Sequence, residues 1–340
     1  MDRTEFAKIL NSIIIPEGIS NDELNKKVLP ISMARTQMIP NSLFRYRYCD
    51  EEGLQIDAFE SDEIYAVTAD KFNDPYDTLV KYDINFIKQY VDTVLTKDTV
   101  VQLKEYFMQG YDFPANVKQV LPKETLDSYK TKFMALDTQE IERGIEVFKQ
   151  QFVLQIEFWF PLLAESSKKF ATIACFCETI QSITMWSHYA DFHKGFALEY
   201  DSNQLLGLKN VGIFPIIYDN NRYDASIFIT WAFFHVMGLK IPNPDSLAHI
   251  KCVLHKSKDW EYEKEWRILD YSQSQQDIFK VFKSSISLKP KAIYYGCKIS
   301  FENKQKLHKI ARQKHIEEYD MSINYSSPKY EMLCGRTNLT

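Results

Sequence analysis

The sequence predicts an α+β fold with a mixed, mostly antiparallel sheet, a large helical insertion and an N-terminal helical extension. Runs of alternating β-branched and aromatic residues occur before and after a long block, and apolar residues recur at helical spacing within that block. Strands grouped on either side of helices are typical of α+β proteins, whereas regular strand–helix alternation indicates a parallel sheet. Hydrophobic residues make up 45% of the 340 residues, which is enough for a large core.

Two helix-forming patterns lie at the start of the chain and predict an N-terminal helical extension over residues 1–40. Ser20 followed by Glu23 three residues later is the capping-box pattern of the second helix. Residues 41–340 are predicted to form a single α+β domain, with the helical insertion at about 84–168. The extension is also a candidate contact surface for a partner protein.

The remaining elements follow in chain order, each from a run of four to eight alternating or apolar residues or from helical spacing. Strands are predicted at 43–49, 63–68, 172–177, 195–200, 211–218, the second half of 260–269, 278–288, 292–295 and within 322–333. Helices after the insertion are predicted at 226–237, 245–254 and 301–318. The strands 172–177 and 195–200 enclose a short connection rich in aromatic and imidazole side chains, which is how a scaffold presents a site.

Composition excludes several classes of protein. The chain has only 10 glycines and neither a G-x-G-x-x-G nor a G-x-x-x-x-G-K-[ST] motif, which argues against Rossmann-type and Walker-type nucleotide binding. A net charge of −5 argues against a sequence-independent DNA binder. The six cysteines are scattered, as in a protein with reduced thiols, and no signal-peptide pattern or bilayer-length apolar run is present. We therefore expect a cytoplasmic protein with no membrane association.

Four segments carry motifs in a fixed order. They are LFRYR at 43–47, FNDPYD at 72–77, MWSHYA with HKGF across 185–196, and YEKEWR at 262–267. This set resembles the bacterial family called domain of unknown function 2971, over roughly residues 43–300. The resemblance implies no particular activity. Because members are often encountered as bacterial accessory genes, it implies a role in defence or stress response.

The motif residues also resemble an ADP-ribosyltransferase site, in which an early Arg, a middle aromatic residue and a late Glu hold NAD. In that interpretation Arg47 holds the dinucleotide, Tyr189 and His188 shape the nicotinamide pocket, and Glu265 is catalytic. Glu263 and Glu265 resemble the E-x-E pair of one branch. The S-T-S segment is absent, and the insertion stretches the spacing. The interpretation requires Arg47, His188, Tyr189 and Glu265 to line one pocket.

Five further residues are candidates for cofactor binding, each with a structural alternative. Asn73 and Asp74 either bind ligand or form the turn before Pro75. Trp186 is either a stacking wall for a ring or a core residue. His193 is either a ligand donor or a structural imidazole. Arg267 is either a ligand contact or a counter-charge for the glutamates.

Two other functions stay open. The first is a non-catalytic module that senses or binds a nucleotide or nucleic acid. The second is a metal-dependent nuclease or hydrolase that uses His188, His193 and nearby carboxylates, although a five-residue spacing does not place both imidazoles on one helix face. Glu261, Glu263 and Glu265 alternate, so we expect all three on one face of a strand, where like charges raise one another's pKa. A transferase would also need a protein or nucleic-acid acceptor.

Overall fold

The computed structural model describes residues 1–113, 118, 122–169, 171–209, 211–236, 241–270 and 283–338. The helices are α1 Arg3–Ser12, α2 Asn21–Met38, α3 Leu54–Glu60, α4 Ile84–Val94, α5 Lys97–Met108, α6 Lys123–Ala135, α7 Thr138–Ser167, α8 Ile183–Tyr189, α9 Ser202–Leu206, α10 Ser226–Val236, α11 Ala248–Val253 and α12 Phe301–Lys314, with 3₁₀ turns at Ala69–Lys71 and Lys258–Glu263. The strands are β1 Ser42–Arg47, β2 Glu63–Val67, β3 Thr172–Cys177, β4 Phe196–Asp201, β5 Val211–Pro215, β6 Ile217–Asp219, β7 His255–Ser257, β8 Glu265–Asp270, β9 Lys283–Ser287, β10 Ala292–Tyr295, β11 Glu317–Ile323 and β12 Met332–Arg336.

The predicted α+β class is confirmed. Ten strands form one sheet in the order β12-β11-β10-β4-β1-β3-β2-β9, with β8 beside β3 and β5 beside β8. Every pair in this sheet is antiparallel except β10–β11, so the sheet is mixed and mostly antiparallel. Strands β6 and β7 form a separate parallel pair. The helical insertion and the N-terminal helices are present, whereas the proposed domain boundaries stay a prediction.

Strand β3 is the centre of the sheet, and two strands share one of its edges. Strand β8 pairs with all six residues of β3 along one edge. On the other edge, β1 pairs with β3 only between Phe44 and Cys177, and β2 only between Val67 and Ile173. Strands β1 and β2 therefore flank the same edge of β3 at opposite ends.

The N-terminal helices pack on the sheet. Phe6 and Leu10 of α1 are fully buried, in a cluster that also holds residues of α2, β5 and β6. The Arg3 guanidinium forms an ion pair with Glu178 at 2.6 Å and donates to the Glu265 carbonyl oxygen at 2.8 Å. Helix α1 is thus tied to the start of β8.

The helical insertion has its own apolar cluster, built from α4, α5, α6, α7 and α10. Residues 114–117 and 119–121 of the predicted insertion lie outside the described residues, as do residues 278–282 of a predicted strand. Within the described part of the chain, none of the helices combines the length and apolar character needed to cross a membrane.

Between α8 and β4, the backbone at Gly195 lies close against the backbone at Arg47 of β1. A Cβ atom on Gly195 would lie 2.0 Å from the Arg47 carbonyl oxygen. We expect Gly195→Ala to lower the free energy of unfolding by about 1–3 kcal/mol, because β1 and β4 must separate to admit the methyl group. Gly144→Ala is the matched control: nothing lies within 4 Å of its Cβ position inside α7. It should stabilise by about 0.5–1 kcal/mol. Equal effects of the two changes in urea unfolding would contradict this packing.

Candidate active site

The candidate site is a pocket of about 130 Å³ on one face of β1, β3 and β8. The cross-strand register places Phe44, Cys175, Cys177 and Glu265 on that face. Helix α8 lies above the pocket. The lining residues come from five segments of the chain: Phe44, Arg45, Tyr46, Arg47, Phe72, Asn73, Asp77, Cys175, Phe176, Cys177, Met185, Tyr189, Lys256, Glu263 and Glu265. Its volume is below the roughly 300–1,000 Å³ of pockets that enclose a whole drug-sized ligand, so it suits one part of a larger molecule.

Five buried charged residues meet at this pocket, and we call them the ion cluster: Asp77, Lys256, Glu263, Glu265 and Arg267. The Lys256 ammonium is central. Its Nζ atom lies 2.6 Å from Glu263, 2.9 Å from Glu265 and 3.4 Å from Asp77. Lys256 thus contacts all three carboxylates of the cluster, and Arg267 contacts two of them, Asp77 and Glu265. Buried charges persist only when they are paired in this way.

Glu265 is held as a carboxylate. The Arg267 Nε atom donates to its Oε1 atom at 2.7 Å, and Lys256 binds its other oxygen. Burial alone would raise the pKa of Glu265, but the charges of Arg267 and Lys256 outweigh burial and hold that pKa well below its usual range. Arg267 is itself fully buried and binds both carboxylate oxygens of Asp77, at 2.7 and 2.6 Å. Glu265 therefore supplies a fixed negative charge at the pocket.

Glu263 has a different environment from Glu265. It ends the 3₁₀ turn, and strand β8 begins only at Glu265, so the prediction that Glu261, Glu263 and Glu265 share one strand face is wrong. Lys264, between the two glutamates, adopts a left-handed conformation with φ at 45°, so the backbone is not extended from Glu263 to Glu265. The Tyr189 hydroxyl donates to Glu263 at 2.5 Å. Burial, and next the charge of Glu265, raise the pKa of Glu263 to about 6.

A charge count explains why Glu263 is the group that titrates. The ion cluster holds three carboxyls and two cations. With Glu263 protonated the five groups are neutral in sum, and with Glu263 ionised they carry one net negative charge. Burial, and then the charge of Glu263, also raise the pKa of Tyr189 above its ordinary value, so its hydroxyl keeps the proton that it donates. The pocket thus contains one permanently charged carboxylate and one that exchanges protons near neutral pH.

The raised pKa makes a signed prediction about stability. Because the pKa of Glu263 is about 6 in the folded protein and its ordinary value is 4.5, the native state binds more protons than the unfolded state between these pH values. The contribution of Glu263 to the free energy of unfolding is therefore fully present below pH 4.5 and is lost as pH rises through 6. We expect the free energy of unfolding of wild type, minus that of Glu263→Gln, to fall by about 2 kcal/mol as pH rises over this window. Urea unfolding at a series of pH values measures it. A difference that rises with pH would contradict the assignment.

Four of the predicted site residues line the pocket: Arg47, Asn73, Tyr189 and Glu265. Arg47 donates from Nη1 to the Tyr46 carbonyl oxygen at 3.0 Å, and none of the ion pairs found among the described residues involves it. The condition stated from the sequence is met for Arg47, Tyr189 and Glu265 but not for His188, which is outside the pocket lining. Their predicted roles in NAD binding and catalysis stay predictions.

The other five predicted residues lie outside the pocket lining. His188 is exposed and its Nδ1 atom contacts the Tyr262 hydroxyl at 3.1 Å. Trp186 is fully buried and donates from Nε1 to a backbone carbonyl oxygen at 2.7 Å. The His193 ring contacts Ser187 at 3.2 Å, and Asp74 accepts from the backbone of its own turn at 2.8 Å. Arg267 lies behind Glu265 and is occupied by the ion cluster.

Sequence reasoning missed Asp77 and Lys256. Asp77 is the last residue of the FNDPYD motif, and no local pattern distinguishes it, whereas Asn73 and Asp74 directly precede the proline. Lys256 lies outside all four motifs, and its closeness to the glutamates along the chain is the one local signal that could have found it. A hydrogen-bonded cluster of this kind is formed by the fold, since Asp77 and Arg267 are 190 residues apart.

The described residues contain no group of three or more His, Cys, Asp or Glu side chains placed to hold a metal ion. His188 and His193 also make separate contacts, with Tyr262 and Ser187. Among the three carboxyls of the ion cluster, the position that a cation would take is held by the Lys256 ammonium.

A comparison with protein families matches residues 185–268 to the model described as "Protein of unknown function (DUF2971)". No curated protein and no solved structure matches the chain. The matched segment runs from α8 to β8 and includes Tyr189, Lys256, Glu263 and Glu265, which all line the pocket. The chain therefore resembles the DUF2971 family over the segment that supplies much of the candidate site, as its motifs predict.

Proposed function

We propose that the protein is an ADP-ribosyltransferase-like enzyme that uses NAD, with Glu263 as general base. One observation supports the proposal most: two carboxyls in one pocket have opposite pKa shifts, with the pKa of Glu263 raised to about 6 and that of Glu265 lowered. Environments that drive two neighbouring carboxyl pKa values apart are a recurrent feature of acid–base sites. The sequence interpretation gave the catalytic role to Glu265. In the present proposal Glu263 moves the proton, and Glu265 provides fixed charge.

In the proposed reaction, the bond between ribose C1′ and the nicotinamide nitrogen breaks. Nicotinamide leaves as a neutral molecule with the bonding electron pair. A nucleophile of a protein or nucleic-acid acceptor bonds to C1′, and ionised Glu263 takes its proton. The net negative charge of the ion cluster in that state stabilises the positive charge that develops on the ribose. No oxidant or reductant is required.

The size of the pocket fits a divided binding mode. A pocket of about 130 Å³ holds one end of the dinucleotide, which we propose to be the nicotinamide and its ribose. The Tyr189 ring lines this space next to Glu263. Arg47, which also lines the pocket, would hold a phosphate of the remaining part, since guanidinium groups match phosphate oxygens two at a time.

The test uses the full chain with NAD labelled in the nicotinamide ring or in the adenosine. We expect release of nicotinamide, with transfer of the adenosine label to a protein or nucleic-acid acceptor, the chain itself included among the acceptors. Glu263→Gln serves as the control for background. If wild type gives no more release and no more transfer than the variant, the transferase proposal fails.

A second candidate function is a non-catalytic module that binds a nucleotide or nucleic acid. The observation that favours it is that each member of the ion cluster already has a partner within the protein. Thermal unfolding against a nucleotide panel separates the two functions. Stabilisation by a ligand that is recovered unchanged supports the module, whereas nicotinamide release supports the transferase.

We propose the cytoplasm as the location, where the six unpaired cysteines would stay reduced. A role in bacterial defence or stress response is a proposal that rests on the family resemblance. It predicts that expression of wild type, and not of Glu263→Gln, changes survival of a bacterial host under phage infection or stress. A partner at the N-terminal helices is likewise a proposal, which affinity capture with and without residues 1–40 would test.

A further inference from the structure

A second pocket lies in the helical insertion, between α6, α7 and α10. Its volume is about 660 Å³. Pockets that enclose a whole small ligand measure roughly 300–1,000 Å³, so this one has room for a complete molecule. It shares no lining residue with the candidate active site, and the proposed function makes no use of it.

The pocket runs along one stripe of α7. The lining residues on that stripe recur every three or four positions, which places them on one face of the helix. They are Glu140, Gly144, Val147, Gln151 and Gln155. At a rise of 1.5 Å per residue, this stripe is about 22 Å long. A pocket of this length suits an extended chain better than a compact ring system.

The walls of the pocket are mainly apolar. Phe133 of α6, Phe152 of α7 and Phe233 of α10 line it and are buried. The rings of Phe152 and Phe233 pack edge to face, with their centres 5.2 Å apart. A Cβ atom on Gly144 would meet nothing within 4 Å, so α7 borders open space at this position. Filling such a space with an apolar ligand removes hydrocarbon surface from water.

Two polar groups of the lining have partners within the protein. The Tyr129 hydroxyl of α6 donates to the Gln155 side-chain oxygen of α7. The Glu140 carboxylate accepts from the backbone N–H of Asp137 at 2.9 Å, and Asp137 accepts from that of Glu140 at 2.6 Å. The carboxylate of the lining is thus engaged at the start of α7.

Lys132 supplies positive charge to the lining of the pocket. It is exposed on α6, one turn from Tyr129. None of the ion pairs found among the described residues involves Lys132, whereas its neighbour Lys130 pairs with Asp112. An apolar pocket with an ammonium group at its edge is complementary to an amphipathic anion.

We propose that this pocket binds a free long-chain carboxylate. The alkyl chain lies along the α7 stripe, between the phenylalanine rings and Gly144, and the carboxylate group lies at Lys132. The length of the pocket selects the chain, and the charge of Lys132 selects the head group. The inference goes beyond the proposed function and does not depend on it, because the two pockets have separate linings.

The experiment measures binding of octanoate, decanoate and dodecanoate to the full chain by calorimetry, below the concentrations at which they form micelles. Affinity should rise about tenfold from each carboxylate to the next, because two further methylene groups are buried. Gly144→Leu places a side chain in the open space and should weaken dodecanoate binding by about tenfold or more. If the leucine variant does not fold, Val147→Glu, which changes an exposed lining residue to an anion, should give the same loss.

Matched controls lie on the opposite faces of the same helices. Glu146→Leu adds a leucine two residues beyond Gly144, about 200° around the axis of α7, and should leave dodecanoate affinity unchanged. Lys132→Gln should weaken dodecanoate binding by about two- to fivefold, as for an exposed ion pair, and leave binding of dodecanol unchanged. Lys123→Gln, on the far side of α6, should affect neither ligand.

Three results would overturn the inference. The first is that wild type binds none of the three carboxylates, or binds them with affinities that do not rise with chain length. The second is that the folded Gly144→Leu or Val147→Glu variant binds dodecanoate as tightly as wild type. The third is self-association of the chain that Gly144→Leu abolishes and dodecanoate does not affect, which would assign the pocket to a second copy of the protein.

Discussion

Asp77→Asn is expected to lower the free energy of unfolding by about 3–5 kcal/mol at pH 7, because it removes one partner of a buried ion pair. Arg267 is fully buried and its Nη2 atom lies within 2.7 Å of both Asp77 oxygens. The amide of asparagine carries no charge, so Arg267 and Lys256 would share only the glutamates. The remaining two cations and two glutamates sum to zero charge when Glu263 is ionised, so the expected loss comes from the broken Asp77–Arg267 pair and not from a change in net charge.

Asp74→Asn is the matched control for this experiment. Asp74 lies three residues earlier in the same turn, and its side chain accepts a hydrogen bond from the Tyr76 backbone at 2.8 Å. An asparagine oxygen makes the same turn contact, so we expect a change within about 0.5 kcal/mol. Urea unfolding of both variants provides the comparison. Similar losses for the two would show that the turn, and not the ion cluster, controls stability here.

Glu263→Gln is expected to reduce nicotinamide release by about 10²- to 10⁴-fold, the usual contribution of a general base. Glutamine has nearly the same shape, its single amide oxygen can accept from Lys256, and its NH2 group can donate to the Tyr189 hydroxyl oxygen, so the fold should persist. Activity of wild type should rise with pH as Glu263 ionises, because only the carboxylate takes a proton, and its pKa is about 6.

Two variants identify the residue responsible. Glu261→Gln changes an exposed glutamate in the same 3₁₀ turn and should leave release unchanged. Glu265→Gln should lose stability as well as activity, because Arg267 and Lys256 would lose a charged partner. Full activity of Glu263→Gln, or an equal loss in Glu261→Gln, would contradict the role of Glu263.

Local pattern was sufficient for much of the fold. The runs at 172–177 and 292–295 are strands over the predicted residues, because central strands are apolar throughout and have clear ends. The structure of the connection between residues 177 and 196 was harder to predict from local pattern. Its aromatic residues indicated a site, yet residues 183–189 form a short helix. That helix directs Tyr189 to the pocket and leaves His188 in solvent.

The site was predicted only in part, for a physical reason. Alternation along the chain suggested that Glu261, Glu263 and Glu265 share a strand face. The left-handed residue Lys264 interrupts the extended backbone between the last two, and Lys256 brings their carboxyls together. Neither the left-handed residue nor the pairing of Arg267 with Asp77 leaves a periodic signal in the sequence.

The central claim is that Glu263 is a carboxyl that exchanges protons near neutral pH inside the pocket. The most direct measurement is a carbon-13 NMR titration of the glutamate carboxyls, in wild type and in Glu263→Gln. We predict one resonance that titrates near pH 6 and is missing from the variant. If every resonance lost in the variant titrates near the ordinary 4.5, the claim is contradicted.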